Sequence, residues 1–186
     1  PPSSLPDPRT VSPGRRRLRA ADALAQRGAL VITACRNPSL GADALAGVAA
    51  KATGPAPELV ALDLSDLDSV RASAATLNDD LTSIDVLMDN AGVMAIPRQL
   101  TPQGFEMQIG TNHLGHFAFT GLVLPALTRA TAPPVIPVSS MGHRMGSRRF
   151  DHTRWNQGGY SAWGAYRQAE RATPRPPHHR SAQDSR

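Results

Sequence analysis

From residue 29 onward, short apolar runs alternate with longer segments of helical character. Each apolar run is nearly continuous, as expected of strands that helices cover on both faces. Strands that alternate with helices indicate βαβ units, whose strands pair in parallel. The sequence therefore predicts an α/β fold with a doubly wound parallel sheet. The four predicted strands are Ala29 to Ala34, Glu58 to Leu64, Ile84 to Met88 and Val135 to Ser139.

The segments between the strands predict helices. Residues 39–52 and 66–80 are rich in alanine and repeat their apolar positions about every 3.6 residues, and Ser65 or Asp66 suits the cap of the second helix. Thr101 and Pro102 predict the start of a further helical region, which runs with interruptions to about Arg129. Proline fits there because the first helical N–H has no partner in any case.

Both ends of the 186-residue chain differ in composition from its middle. We interpret residues 1–19 as an atypical Pro/Arg-rich segment and 171–186 as a disordered tail rich in proline, arginine and histidine. Residues 20–170 then form one domain, and 20–28 within it predict a helix. Neither end has the apolar stretch of a membrane span or a signal peptide, so we expect a cytoplasmic protein with no membrane span.

The net charge of +5 and the arginines at 15, 16, 17 and 19 make a nucleic acid an alternative partner. No aromatic platform or recognition motif accompanies them, and an Arg-rich solvated or disordered arm explains the charge as well. A transit peptide is a further alternative for an Arg-rich, acid-poor start. We therefore expect no nucleic-acid partner. His113 and His116 lie three residues apart with no third ligand nearby, so we also expect no metal site.

Polar and small residues follow three of the predicted strands. They are Asp63, the Asp-Asn-Ala-Gly turn at 89–92, and the serine pair at 139 and 140. The carboxyl ends of parallel strands form the edge at which open α/β sheets bind ligands. Each feature is weak alone, because an Asn-Ala-Gly turn is common in loops.

Taken in order, five motifs resemble the short-chain dehydrogenase/reductase family, particularly its retinol-dehydrogenase-like members. They are ACRN (34–37), LDLSD (62–66), DNAGV (89–93), TNHLGHF (111–117), and VSS (138–140) followed by AYRQ (165–168). The resemblance implies a Rossmann-like fold. It also implies hydride transfer between a nicotinamide cofactor and a small-molecule alcohol or carbonyl substrate.

The resemblance assigns a role to single residues of the cofactor site. Arg36 matches a basic residue that meets the adenosine 2′-phosphate, which favours NADP and leaves NAD as the alternative. A surface arginine after a strand is the alternative interpretation of this residue. The other implied cofactor-binding residues are Asp63 and Leu64, beside the adenine, and the close-approach turn of Asn90, Ala91 and Gly92.

The implied catalytic residues are Asn112, which holds a water of a proton relay, Ser140, which bonds the reacting oxygen, and Tyr166, the proton donor. Tyr160 is a rival that matches less well. Family members place a lysine four residues after the tyrosine, where its charge lowers the phenol pKa. Glu170 stands there instead. One charge at ~4 Å is worth about 4 kcal/mol at an effective dielectric constant near 20, which predicts roughly a thousandfold loss of rate.

The start of the chain also departs from the family pattern. Positions 11, 15 and 17, where the family has a glycine turn, hold Val11, Arg15 and Arg17. Residues 5–9, in the place of the central strand, contain prolines, and Pro137 interrupts the last predicted strand. The resemblance thus predicts an incomplete sheet, with the first strand degenerate and the C-terminal strands missing. An out-of-frame reading of both ends unifies these departures, and a pseudoenzyme or frameshifted remnant without turnover is the alternative function. Substrate and oligomeric state stay open.

Overall fold

The structure is a computed structural model and describes residues 15–141, 155 and 159–172, with side chains from residue 19 onward. The segment 11–17, where the family has its glycine turn, therefore lies largely outside the described residues. The predicted first strand at 5–9 and the tail after residue 172 lie entirely outside them. The elements are, in chain order, α1 (Arg15–Ala25), β1 (Ile32–Cys35), α2 (Pro38–Ala49), β2 (Glu58–Ala61), α3 (Leu67–Asp80), β3 (Leu87–Asp89), α4 (Met107–Ile109), a π-helical segment (Gly110–Gly115), α5 (His116–Leu122), α6 (Leu124–Thr128), β4 (Val135–Pro137) and α7 (Ala162–Ala172).

The α/β class and the four predicted strands are confirmed, although each strand is shorter than its apolar run. β1 pairs in parallel with β2, and β3 pairs in parallel with β4. Within the described residues these pairs form two separate two-stranded sheets. In a doubly wound order the strand between them is the central one, and its predicted position at 5–9 falls outside what the structure describes.

Pro137 is compatible with β4 because its nitrogen does not face β3. The amide of Leu87 donates to the Pro134 carbonyl at 3.1 Å, and the amide of Val138 donates to the Asp89 carbonyl at 2.8 Å. Alternate residues of a parallel strand face opposite edges, so Pro137 faces the edge away from β3. The missing N–H therefore removes no hydrogen bond from this pairing.

Side-chain caps begin the helices that follow β1 and β2. The Asn37 side chain accepts hydrogen bonds from the amides of Ser39 and Leu40 at 3.1 and 3.2 Å, and Pro38 occupies the first helical position of α2. The Asp66 carboxylate accepts from the Asp68 amide at 3.0 Å at the start of α3. Of the two caps that the sequence offered for α3, the structure selects the aspartate.

The predicted helix start at Thr101 and Pro102 is wrong. The Thr101 amide donates to the Phe105 carbonyl at 2.8 Å and its hydroxyl accepts from the Phe105 amide at 3.2 Å, which closes a turn through Gly104 at φ +80°. The helix begins instead after Glu106, whose carboxylate accepts from two backbone amides of the first turn. Threonine and proline suit a turn as well as a helix start, so their pattern did not distinguish the two.

One apolar core joins both sheets to α3, α5 and α6. Ile32 of β1 and Leu87 of β3 both pack against it. Gly115 permits the close approach of the π-helical segment to Leu64, which follows β2. A Cβ at position 115 would overlap the Leu64 carbonyl oxygen. The cluster consists of Leu62, Leu64, Val70, Ala74, Leu77, Phe119, Val123 and Leu127.

Candidate active site

The end of β4 meets the inward face of α7. Tyr166 lies on this helix with only 8% of its surface exposed, and the Ser140 side chain hydrogen-bonds its phenol. Ser140 follows β4 directly, in the loop after Pro137. The structure thus brings together the serine and the tyrosine that the sequence motifs paired.

Glu170 is a third member of this cluster. Its Oε2 accepts a hydrogen bond from the Ser140 amide at 2.8 Å and lies 3.3 Å from the Ser139 hydroxyl, which also donates to it. The carboxylate is hydrogen-bonded to Tyr166 as well, one helical turn away, and the residue is 8% exposed. Sequence reasoning anticipated the charge of Glu170 and missed its bonds to the loop after β4, because the i, i+4 spacing reveals the partner on the helix and not the partners in the loop.

The environment of Tyr166 raises the pKa of its phenol. Burial is the largest cause, and the Glu170 carboxylate adds to it by charge and by hydrogen bonding. The hydrogen bond from Ser140 acts in the opposite direction. Tyr166 is therefore held as a neutral phenol, the form that can donate a proton.

Asn112 fixes the turn that follows β3. Its Oδ1 accepts from the Val93 amide and its Nδ2 donates to the Val93 carbonyl, both at 2.8 Å. The residue is 5% exposed, and a Cβ on Gly92 would lie 3.1 Å from Asn112 Oδ1. The small residue at 92 therefore lets the turn pass close to the asparagine. In these contacts Asn112 serves the turn, not the Ser140–Tyr166 pair.

His116 holds the same turn from the next helix. Its Nδ1 lies 3.2 Å from Asp89 Oδ1, and its Nε2 lies 2.8 Å from the Ala91 carbonyl oxygen. The Thr120 hydroxyl donates to the second oxygen of Asp89 at 3.1 Å. Burial and the neighbouring His116 lower the pKa of His113. Sequence reasoning weighed these histidines only as metal ligands, and no cluster of three ligating side chains occurs among the residues described.

The remaining predicted cofactor residues follow the strand ends. Cys35 of β1 is in register with Ala61 of β2, so exposed Arg36 lies beside the segment that leads to Asp63. Asp63 Oδ1 accepts from the Ser65 amide at 2.9 Å and from its hydroxyl at 2.6 Å. Asn90, Ala91 and Gly92 are half-buried after β3, whereas Leu64 is buried in the core.

Residues 18–152 match the profile of the family described as short chain dehydrogenase. The chain belongs to the short-chain dehydrogenase family. Among its relatives, human retinol dehydrogenase 13 is 37% identical over 149 residues, which cover 80% of this chain and 45% of that protein. Human retinol dehydrogenase 11 is 42% identical over 147 residues, 78% of this chain and 46% of that protein. The predicted membership and its retinol-dehydrogenase-like character are confirmed.

Solved structures share this fold. An uncharacterised protein from Mycobacterium paratuberculosis aligns with a TM-score of 0.69 and 42% identity, over 82% of this chain and 52% of that one. A short chain dehydrogenase from Escherichia coli CFT073 in complex with NADPH aligns with a TM-score of 0.63 and 25% identity, over 83% and 60%. The Rossmann-like prediction is confirmed. The chain spans about half the length of the curated relatives it matches. None of the described helices has the length and apolarity to cross a bilayer.

Proposed function

We propose that this chain is an NAD(P)-dependent oxidoreductase that interconverts a small-molecule alcohol and its carbonyl form. The observation that carries the proposal is the hydrogen bond between half-buried Ser140, in the loop after β4, and buried Tyr166. A phenol and a serine hydroxyl can each donate a hydrogen bond to a carbonyl oxygen when that oxygen replaces their present partners, Glu170 for Tyr166 and Tyr166 for Ser140. Retinol and retinal are the first substrates to test, because the human relatives are named for retinol.

The turn after β3 fits a nicotinamide cofactor. Gly92 lets Asn112 pack closely against this turn, and Asn112 and His116 hold its backbone at the end of β3. Arg36 is exposed after β1, where its guanidinium is open to a phosphate, which supports NADP over NAD. When bound, the cofactor would supply or accept the hydride.

The chain's own residues handle the proton and the orientation of the substrate. Ser140 would hold the substrate oxygen, and Tyr166 would give up its phenolic proton as that oxygen gains charge. Burial of the phenol excludes water from this transfer. Because Glu170 raises the pKa of Tyr166, it makes the phenol a weaker acid, and we expect slow turnover.

Cofactor binding without turnover is a second candidate function. The hydrogen bonds that Glu170 accepts from Ser139 and Ser140 favour it, because they engage the loop that would hold the substrate oxygen. The carboxylate also opposes ionisation of the Tyr166 phenol. The two functions share a cofactor site and differ in the chemistry that Tyr166 performs. Binding and turnover must therefore be measured separately.

The test is a titration of the purified chain with NADPH and with NADH, followed by cofactor fluorescence. We expect saturable binding, with NADPH bound more tightly, and Arg36→Ala should weaken NADPH more than NADH. Exposed Arg71→Ala on α3 is the matched control and should change neither affinity. Absence of saturation at millimolar cofactor would contradict both candidate functions.

Turnover is then tested with retinal, retinol and simple alcohols and carbonyls. Slow oxidation or reduction that Tyr166→Phe abolishes, with cofactor affinity unchanged, supports the oxidoreductase. Saturable binding with no turnover of any of these compounds supports the second candidate instead.

A further inference from the structure

We propose that Tyr160 is a positioning residue for Tyr166, acting through a buried network with Glu106 and Gln108. The catalytic consequence rests on the proposed oxidoreductase function, whereas the positioning itself does not. Sequence reasoning treated Tyr160 only as a rival proton donor, and none of the roles above uses it.

The Tyr160 hydroxyl lies among three partners. It is 3.0 Å from the Ile96 carbonyl oxygen and 3.0 Å from Glu106 Oε1, and it accepts a hydrogen bond from Gln108 Nε2 at 3.0 Å. A phenol has one hydrogen, so this hydrogen is shared between the carbonyl and the carboxylate. The hydroxyl is thus committed to internal bonds, and burial together with Glu106 raises its pKa to about 12. Tyr160 is therefore poorly suited to exchange a proton with a substrate.

Gln108 links this hydroxyl to the helix of Tyr166. Its Nε2 also donates to the Ala162 carbonyl at 2.9 Å, and its Oε1 accepts from the Ala95 amide at 2.7 Å. Ala162 is the first residue of α7, one helical turn before Tyr166. Gln108 is fully buried, so its amide connects the loop after the cofactor turn to the start of this helix in a site without competing water.

Glu106 holds the other end of the network. It is fully buried, and its Oε2 accepts from the amides of Gln108 and Ile109, both at 3.0 Å. Its Oε1 is the oxygen that faces Tyr160. A buried carboxylate is tolerated when its oxygens are hydrogen-bonded. The helix that Glu106 starts continues into the segment with Asn112, so the network ties the segment of Asn112 to the helix of Tyr166.

Two of the three non-glycine residues with positive φ in the described part of the chain lie at the same network. Ala95 and Trp155 have φ of 51° and 49°, in the left-handed region that side chains other than glycine rarely adopt. Ala95 is held by Gln108, and the Trp155 ring meets the Tyr160 ring edge to face at 5.4 Å. Such conformations persist where surrounding contacts determine them, and they cluster at functional sites.

The test uses the full chain and the variant Tyr160→Phe. The chain has two tyrosines, so the variant leaves Tyr166 as its only phenol, and its titration is read directly by ultraviolet absorbance. For the wild type, subtracting the absorbance titration of Tyr166→Phe from that of the wild-type chain gives the titration of the same phenol. We expect the pKa of Tyr166 to fall toward its ordinary value in Tyr160→Phe, because a loosened α7 relieves the burial that raises it.

Hydrogen exchange supplies a second readout. Amides at 162–166 should exchange about tenfold faster in Tyr160→Phe at a pH where the chain stays folded, as expected on loss of a buried hydrogen bond. Gln108→Leu removes the bonds to both Tyr160 and Ala162 and should have the same effects. If turnover is found, kcat should fall in Tyr160→Phe with little change in KM.

Ser73→Ala is the matched control, since it removes another buried hydroxyl, one that bonds backbone carbonyls on α3 and β2. We expect it to lower stability and to leave the Tyr166 titration and α7 exchange unchanged. The proposal is overturned if Tyr160→Phe behaves like this control. Neither readout needs cofactor or turnover, so failure here is distinct from failure of NADPH binding.

Discussion

The Glu170 carboxylate accepts a hydrogen bond from the Ser140 amide at 2.8 Å, and so joins the helix of Tyr166 to the end of β4. In the family pattern, Glu170 stands where a lysine is expected. In the structure its carboxylate also accepts hydrogen bonds from Ser139 and Ser140. A lysine at this position would face an N–H donor instead of an acceptor, so restoring the family residue also removes an existing contact.

Neutralising Glu170 separates its charge from its hydrogen bonds. In Glu170→Gln the amide oxygen can still accept from Ser140, and we expect the pKa of Tyr166 to fall because the nearby charge is gone. It should stay above the ordinary value of 10.0, since burial is the larger cause of its elevation. Ultraviolet titration against a Tyr166→Phe reference measures it. Exposed Asp68→Asn is the control, and an unchanged Tyr166 titration in Glu170→Gln would contradict the assignment.

Restoring lysine should lower stability. Glu170→Lys places a cation in a site that is 8% exposed and leaves the Ser140 amide without its acceptor, at a cost of about 1–3 kcal/mol relative to Glu170→Gln. Urea unfolding of both variants measures the difference. Equal free energies of unfolding would show that the 2.8 Å bond contributes little to stability.

Tyr160 makes stability depend on alkaline pH. Its folded pKa, raised from 10.0 to about 12, means that the folded chain keeps a proton that the unfolded chain releases. The stabilising contribution is complete below pH 10 and is lost as pH rises toward 12. The free energy of unfolding should therefore fall across this interval, and less steeply in Tyr160→Phe. Parallel curves for the two proteins would refute the prediction.

Asn112 should stabilise the turn after β3. Asn112→Ala removes both hydrogen bonds to Val93, and each buried group left without a partner costs about 1–3 kcal/mol. Asn112→Asp keeps an acceptor for the Val93 amide but opposes the Val93 carbonyl, so it does not restore the wild-type stability. Chemical unfolding and amide exchange at 91–93 measure the effect. Wild-type exchange at these amides in Asn112→Ala would contradict it.

Two glycines near the same helix should respond oppositely to alanine. Gly115→Ala should destabilise by about 1–3 kcal/mol, because its Cβ would overlap the Leu64 carbonyl oxygen, which is backbone and cannot move aside cheaply. At Gly121 in α5 a Cβ would meet open space, and Gly121→Ala should stabilise by about 0.5–1 kcal/mol. Thermal unfolding of both variants tests the pair, and a neutral Gly115→Ala would contradict the predicted overlap.

Sequence patterns predicted the features that depend on neighbouring residues in the chain, such as strands and helix caps. Strand positions follow from apolar runs, and the Asp66 cap from its place before an alanine-rich helix with periodic apolar positions. The pairing of Ser140 with Tyr166 was implied by the family motifs. The number of residues between the two would not by itself have predicted the contact. Contacts between distant segments were missed, such as Gln108 with Ala162, which lie 54 residues apart. They depend on how α7 packs, and no local pattern of Gln108 records that.

The shared apolar core has a consequence for how the chain comes apart. No hydrogen-bonded ladder joins β1–β2 to β3–β4 among the residues described, yet Ile32 and Leu87 pack on the same cluster. If β1–β2 unfolds and exposes this cluster to water, β3–β4 loses the apolar surface on which it packs, and the reverse also holds. The two halves should therefore melt in a single cooperative transition, because both pack against this one cluster.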